Sequence, residues 1–283
     1  MIKAINYWSF PGGLEGTLPA REAIDLARDN GFPALELAIN CDTELCLSTT
    51  EAECREIVAY AESQGVGLHT VASGMYWGRS VGDTDPALRA TAIEDLRAMI
   101  RITSWLGATV LLTIPGAVDV FFLPDRAPQP YGEVMRNAAA GLREVLPLAA
   151  EHKVRLGIEN VWNKILMSPG EMEMFLAQFD SEWIGAYLDV GNILPFGYPE
   201  DWILHLGDKI AAIHMKDFRR SVGTAAGFVD LLEGDVDFPA VMKALRAIGY
   251  EGPLTAEMIP LYARSPMVRI ANTSRALDEI LQS

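Results

Sequence analysis

Cysteine is scarce. Cys41, Cys46 and Cys54 make an odd count of three in 283 residues, with no Cys-x-x-Cys pair among them. A disulfide framework or a zinc ribbon is therefore not expected. Long hydrophobic runs are missing too: the most apolar stretch, Val110 to Pro124, is interrupted by Pro115, Gly116 and Asp119 and cannot span a bilayer. Met1-Ile2-Lys3-Ala4 leads straight into a short strand-like run and then Pro11-Gly12-Gly13, without the apolar segment of a secretory leader. The expectation is a soluble, cytoplasmic protein with no membrane partner. Basic residues are in deficit, since 23 Lys and Arg against 38 Asp and Glu leave a net charge of −15. Phosphate backbones are bound by basic surfaces, so a nucleic-acid partner is disfavoured. No Gly-x-Gly-x-x-Gly follows the first strand, which argues against a dinucleotide-binding open sheet.

What is present is a regular alternation. Half of the residues are hydrophobic, enough for one large core. Short apolar runs (residues 4–8, 34–38, 66–71, 109–114, 155–158, 184–188, 210–213 and 254–256) read as strands. Between them lie amphipathic stretches with helix signals. Ser48-Thr49-Thr50-Glu51 opens one such stretch with capping residues, and Gly65 closes it. A long helix is expected over residues 86–106, with Pro86 near its start and Gly107 after its end. Ser168-Pro169 and Asp237 open two later ones, and residues 266–281 form the closing helix. Strands alternating with helices imply parallel pairing through crossovers, and eight such pairs imply a closed α/β barrel, a (β/α)8 TIM barrel in a single domain over residues 1–283.

In that architecture the chemistry sits at the C-terminal ends of the strands. Four successive strands of the second half end in a polar residue able to bind a metal ion. Leu156-Gly157-Ile158 is followed by Glu159, Ala186-Tyr187-Leu188 by Asp189, Ala211-Ala212-Ile213 by His214 and Leu254-Thr255-Ala256 by Glu257. Singly, each has an ordinary reading as a cap, a turn residue or a satisfied buried histidine. Four at equivalent places line one side of a barrel mouth. Three carboxylates and one imidazole are hard donors that suit Mn2+, Mg2+ or Co2+ better than a thiolate site would; Zn2+ usually takes more nitrogen or sulfur. The expectation is one divalent ion, Mn2+ foremost.

At these residues the chain resembles the xylose isomerase-like barrel superfamily, most closely its branch of sugar and sugar-phosphate isomerases and epimerases. The resemblance is carried by residues 157–163 (Gly-Ile-Glu-Asn-Val-Trp-Asn), 187–192 (Tyr-Leu-Asp-Val-Gly-Asn), 213–220 (Ile-His-Met-Lys-Asp-Phe-Arg-Arg), 233–239 (Glu-Gly-Asp-Val-Asp-Phe-Pro) and Ala256-Glu257. It implies that Glu159, Asp189, His214 and Glu257 bind the metal and that Glu159 and Glu257 act as the acid/base pair. The chemistry is consistent: inverting a carbon next to a ketone requires removing a C–H proton from one face and returning one on the other, through an enediolate that a metal ion stabilises. The resemblance also implies a small-molecule sugar or sugar phosphate as partner, a homodimer or homotetramer, and a substrate contact from Arg220, with Arg219 beside it as the rival. Asn192, an expected substrate contact that can hydrogen-bond a hydroxyl but not shuttle a proton, stands where many epimerases have a histidine, and Ile165 where a second substrate-binding glutamate is common. Both departures bear on a free-ketohexose substrate.

Further substrate contacts are expected from Trp8, Glu36 and His69, at or just past the first three strands, Glu36 being equally readable as an ion-paired barrel residue. Tyr76, Trp77 and Arg79 form a candidate lid, Arg79 being placed to meet a phosphate. A lyase acting on a keto-cyclitol or keto-glycoside would use the same base and metal. A DNA-repair endonuclease of the superfamily would need three zinc ions and more histidines than the four available.

Overall fold

The computed structural model describes residues 1–41 and 43–283. The chain runs through β1 (Ile2–Asn6), α1 (Ala20–Asp29), β2 (Ala34–Ile39), α2 (Glu51–Gln64), β3 (Thr70–Ser73), α3 (Pro86–Trp105), β4 (Val110–Thr113) and α4 (Tyr131–His152). It continues with β5 (Arg155–Glu159), α5 (Pro169–Leu176), β6 (Ile184–Asp189), a single turn α6 (Val190–Ile193), α7 (Pro199–Leu206) and β7 (Ile210–Met215). A two-stranded antiparallel hairpin, β8 (Asp217–Phe218) and β9 (Phe228–Val229), precedes α8 (Phe238–Ala247), β10 (Pro253–Ala256) and α9 (Pro266–Gln282). All strands except the hairpin close into one barrel in the order β1-β10-β7-β6-β5-β4-β3-β2. Every neighbouring pair in it is parallel. This is a (β/α)8 TIM barrel.

The strands are mostly apolar because helices cover the outside of the barrel while side chains fill its inside, so both faces of each strand are largely buried. Local signals set the helix ends. Thr50 and Glu53 form a reciprocal capping box at the start of α2, and Gly65 ends it in a left-handed conformation, φ 71°. Asp85, Ser168 and Asp237 cap α3, α5 and α8 through their side chains, each before a proline in the first turn. No helix among the described residues is long and apolar enough to cross a membrane.

Two strands lie elsewhere than the apolar runs suggest. β1 ends at Asn6, because the Asn6 side chain accepts the Trp8 N–H and turns Tyr7–Ser9 into a 3-10 turn. β3 begins at Thr70, four residues later than the run at Val66 implies; Val66–Leu68 only approaches the barrel, with Gly67 bridging Ala34. His69 therefore sits at the N-terminal end of β3, its carbonyl accepting the Thr109 N–H just before β4. The expected substrate contact from His69 is corrected by this placement: it lies at the end of the barrel opposite the mouth.

That N-terminal end is sealed by Arg155, whose guanidinium donates to the carbonyls of Asp208, Lys209 and Ile210 at 3.1–3.2 Å. Gly185 lies beneath it, and a Cβ there would fall 2.4 Å from the Lys209 carbonyl oxygen and 2.7 Å from the guanidinium. Gly185→Ala should destabilise the protein by about 1–3 kcal/mol through this overpacking, read as a lower urea midpoint with unchanged slope; an unchanged midpoint would contradict the packing described.

Candidate metal centre

The four expected ligands come together. Glu159, Asp189, His214 and Glu257 each offer a donor atom, and these atoms all lie within 4.8 Å of one another. The strand order explains it. β5, β6, β7 and β10 are consecutive around the barrel, and Asp189 lies directly opposite His214 in the register. Glu159 ends β5, and Glu257 follows β10, its N–H donating to the Met215 carbonyl. The two glutamates thus flank the group, while Asp189 and His214 occupy the two inner strands. All four are buried.

Beneath the group lies a polar layer that crosses the barrel interior. His214 Nε2 is 2.6 Å from Glu36 Oε1, and Glu36 also accepts from Asn6 Nδ2 at 2.6 Å and from the Tyr187 hydroxyl. Burial works against the charge on Glu36, but the facing His214 outweighs it and holds the carboxyl below its usual range. Burial likewise opposes the charge on His214, yet Glu36 and then Glu257 hold its pKa well above the ordinary value. The expected role of Glu36 as a substrate contact is corrected: it is completely buried and grips His214 from below. With Nε2 committed to Glu36, Nδ1 faces the mouth, 3.7 Å from both Glu159 Oε1 and Glu257 Oε2 and too far for hydrogen bonds.

The donors fit a metal ion by what they lack. His214 Nδ1, Asp189 Oδ2 and Glu257 Oε2 are buried without a hydrogen-bond partner. Buried polar atoms are normally satisfied, and three orphans within 4.8 Å of one another are what an ion would complete. Beside the imidazole, the Lys216 ammonium is in contact with Glu257 and 3.2 Å from Asp189 Oδ2, without the angles of a hydrogen bond. Burial opposes that charge too, but Asp189 and Glu257 raise its pKa. Burial also pushes Glu159 up to about 7, with the charges of Glu257 and Asp189 adding to the effect and His214 opposing it. Burial raises Asp189, against the pull of Lys216.

Lys216 is a residue the sequence reading misses, although a signal exists: it lies two residues after His214, directly past the end of β7. The turn after β6 passes close to it. A Cβ on Gly191 would come within 2.6 Å of the Lys216 Cβ, so the segment from Asp189 to Asn192 needs glycine there. Asp189 caps this turn through the Asn192 N–H, and Asn160 ties β5 to β6 through both the Asp189 carbonyl and its N–H.

Above the donors opens a cavity of about 820 Å3. Trp8 and Asn192, two expected contacts, line it together with Glu159, Glu257 and Lys216. Arg220 does not: it is exposed, with its guanidinium 5.6 Å from the Tyr198 ring centre. Arg79 pairs with Asp95 of α3, and the Tyr76 hydroxyl donates to the Leu112 carbonyl, so only Trp77 of the expected lid faces the cavity. Phe121, Phe122 and Phe228, also in its wall, were not singled out in the sequence.

The model of the xylose isomerase-like TIM barrel family matches residues 24–277. The chain belongs to this family. Among curated members, it is 29% identical over 269 residues to SgbU of Escherichia coli strain K12, provisionally named an L-ribulose-5-phosphate 3-epimerase, covering 92% of this chain and 91% of that one. It is 26% identical to the L-ribulose 3-epimerase of Methylomonas sp. strain DH-1, over 84% of this chain and 78% of the other. Among solved structures, a D-psicose 3-epimerase with D-tagatose from Clostridium cellulolyticum H10 superposes with a TM-score of 0.79 at 17% identity, over 99% of both chains. The 3-keto-D-glucoside 4-epimerase YcjR of E. coli gives a TM-score of 0.77 at 14% identity, over 100% of both. At these identities the structures show the shared family fold alone.

The raised Glu159 gives a test on the metal-free protein. A carboxyl whose folded pKa of about 7 exceeds its ordinary 4.5 costs no stability below pH 4.5 and the full penalty above pH 7. In EDTA, Glu159→Gln should stabilise the protein at pH 8 by on the order of 1–3 kcal/mol and change it little at pH 4.5. Urea titrations at both pH values measure this. An equal effect at both would contradict a raised Glu159.

Proposed function

We propose that this protein is a divalent-metal-dependent sugar epimerase or isomerase that moves a proton at the carbon next to a carbonyl. One observation carries the reading: two glutamates, Glu159 and Glu257, flank a buried group of metal-binding donors at the mouth of the barrel. The names of the curated relatives, L-ribulose-5-phosphate 3-epimerase and L-ribulose 3-epimerase, support the sugar class and the reaction type.

Glu159, Asp189, His214 and Glu257 would hold the ion. Three oxygen donors and one imidazole favour a hard or borderline cation, Mn2+ before Mg2+, Co2+ or Zn2+. When bound, the ion supplies Lewis acidity that polarises the substrate carbonyl and acidifies the neighbouring C–H. The rest falls to the chain. One flanking glutamate takes the proton from its face of the sugar and the other returns a proton to the opposite face, which inverts the carbon. Returning it to the neighbouring carbon gives the aldose–ketose outcome instead. Glu159 and Glu257, on opposite flanks of the donor group, share these two roles between them. Asn192, at the cavity floor, offers a hydrogen bond to a hydroxyl but no proton transfer at neutral pH. Trp8 gives the sugar ring an apolar face.

In D2O with Mn2+, wild-type protein should exchange the substrate proton of free ketoses such as L-ribulose and D-tagatose, followed by proton NMR. Glu159→Gln and Glu257→Gln should each lower that exchange by about 100-fold or more while keeping the wild-type circular dichroism. Undiminished exchange in either variant would reject the two-glutamate scheme. A product lighter by one water would identify a lyase working from the same site.

A further inference from the structure

The cavity above the glutamates is larger and more aromatic than a bare sugar requires. Its volume of about 820 Å3 lies in the upper part of the range for pockets that enclose drug-sized ligands. Beyond the reactive floor, its wall is a chain of rings. Trp77 meets Phe122 edge-on with centroids 5.0 Å apart, Phe122 meets Phe121 at 5.2 Å, Phe121 approaches Trp162 at 6.2 Å, and Trp162 lies over Phe228 at 5.1 Å.

This wall is held in place. Trp162 Nε1 donates to the Asn192 carbonyl, which fixes the indole beside the reactive end. The segment bearing Phe121 and Phe122 is anchored where Asn163 bonds Gly116 and Val118. Arg126 then ties it to the Trp77 carbonyl and to Asp83. Yet Phe121 remains 60% and Phe122 44% exposed. Large aromatic groups fixed in water around a cavity mark a surface shaped for an apolar ligand.

Charge points the same way. Cationic side chains, arginine above all, are the usual side-chain partners of a phosphate. Among the described residues the lining contains one cation, Lys216, already set against Asp189 and Glu257. Arg79 and Arg126 are committed to Asp95 and Asp83, and Arg220 stacks on Tyr198 outside the lining.

Resting on the epimerase reading of the floor, we infer that the substrate is an uncharged keto sugar carrying an apolar substituent of aromatic size, and not a sugar phosphate. The sugar meets the glutamates, and the substituent packs among Trp162, Phe121 and Phe228.

Isothermal titration of the Mn2+-loaded protein with phenyl β-D-glucoside, methyl β-D-glucoside and D-glucose 6-phosphate decides this. The phenyl glycoside should bind at least about tenfold more tightly than the methyl glycoside, with no advantage for the phosphate. That tenfold difference corresponds to about 1.4 kcal/mol. Phe121→Ala and Phe228→Ala should erase the phenyl advantage and leave methyl glycoside binding within about twofold. Equal affinities, tighter phosphate binding or no measurable phenyl glycoside binding would overturn the inference. Deuterium exchange on free ketoses separates the two readings. Exchange without a phenyl advantage sinks the substrate class alone. A phenyl advantage without exchange on ketoses or on phenyl 3-keto-glucoside sinks the epimerase and leaves the apolar subsite standing.

Discussion

Glu159, Asp189 and Glu257 bring three carboxyl groups and His214 an imidazole to a buried spot where the donor atoms lie within 4.8 Å of one another. Buried like charges at such separations repel strongly, and each has lost most of its hydration. The fold must supply positive charge or leave protons behind, and it does both. Glu159 is driven toward its protonated form, and Lys216 is drawn against Asp189 and Glu257. A divalent ion would resolve the same conflict at one stroke. Three carboxylates against a divalent ion and the Lys216 ammonium sum to zero.

His214 connects this conflict to the interior of the barrel. The Glu36 carboxylate holds the Nε2 edge of the imidazole, with Asn6 and Tyr187 fixing Glu36 in turn. Carboxylates that grip a ligating histidine in this way set its tautomer and raise its basicity. The layer joins β1, β2, β6 and β7, so donor geometry depends on the closure of the whole barrel. The flanking placement of Glu159 and Glu257 follows from the same strand order, and the proposed two-face proton transfer rests on that placement.

Much of this was legible from the sequence, for a physical reason. In a parallel barrel the residue ending each strand points to the mouth, so Glu159, Asp189, His214 and Glu257 could be recognised from position before any geometry was known. The failures are as instructive. Val66–Val71 reads as a strand that carries His69 toward the mouth; the ladder starts at Thr70, and a shift of four residues along an extended chain puts His69 at the other end. Glu36 looked like a substrate contact because a charge inside a strand has two readings, and only the facing His214 chooses between them. Arg220 depends on the β8–β9 hairpin, which no apolar run announces. The aromatic wall depends on a proline-rich loop whose path is set by long-range bonds such as Asn163 to Gly116.

The claim on which the rest turns is that one divalent ion completes this site. Calorimetric titration of EDTA-stripped, dialysed protein with Mn2+ tests it directly. Wild type should bind one equivalent with proton release, since His214 must give up its Nδ1 proton. Asp189→Asn should abolish that binding, and Glu36→Gln should weaken it by about 10- to 100-fold while the protein stays folded. Absent binding in wild type, or undiminished binding in Asp189→Asn, would contradict the account.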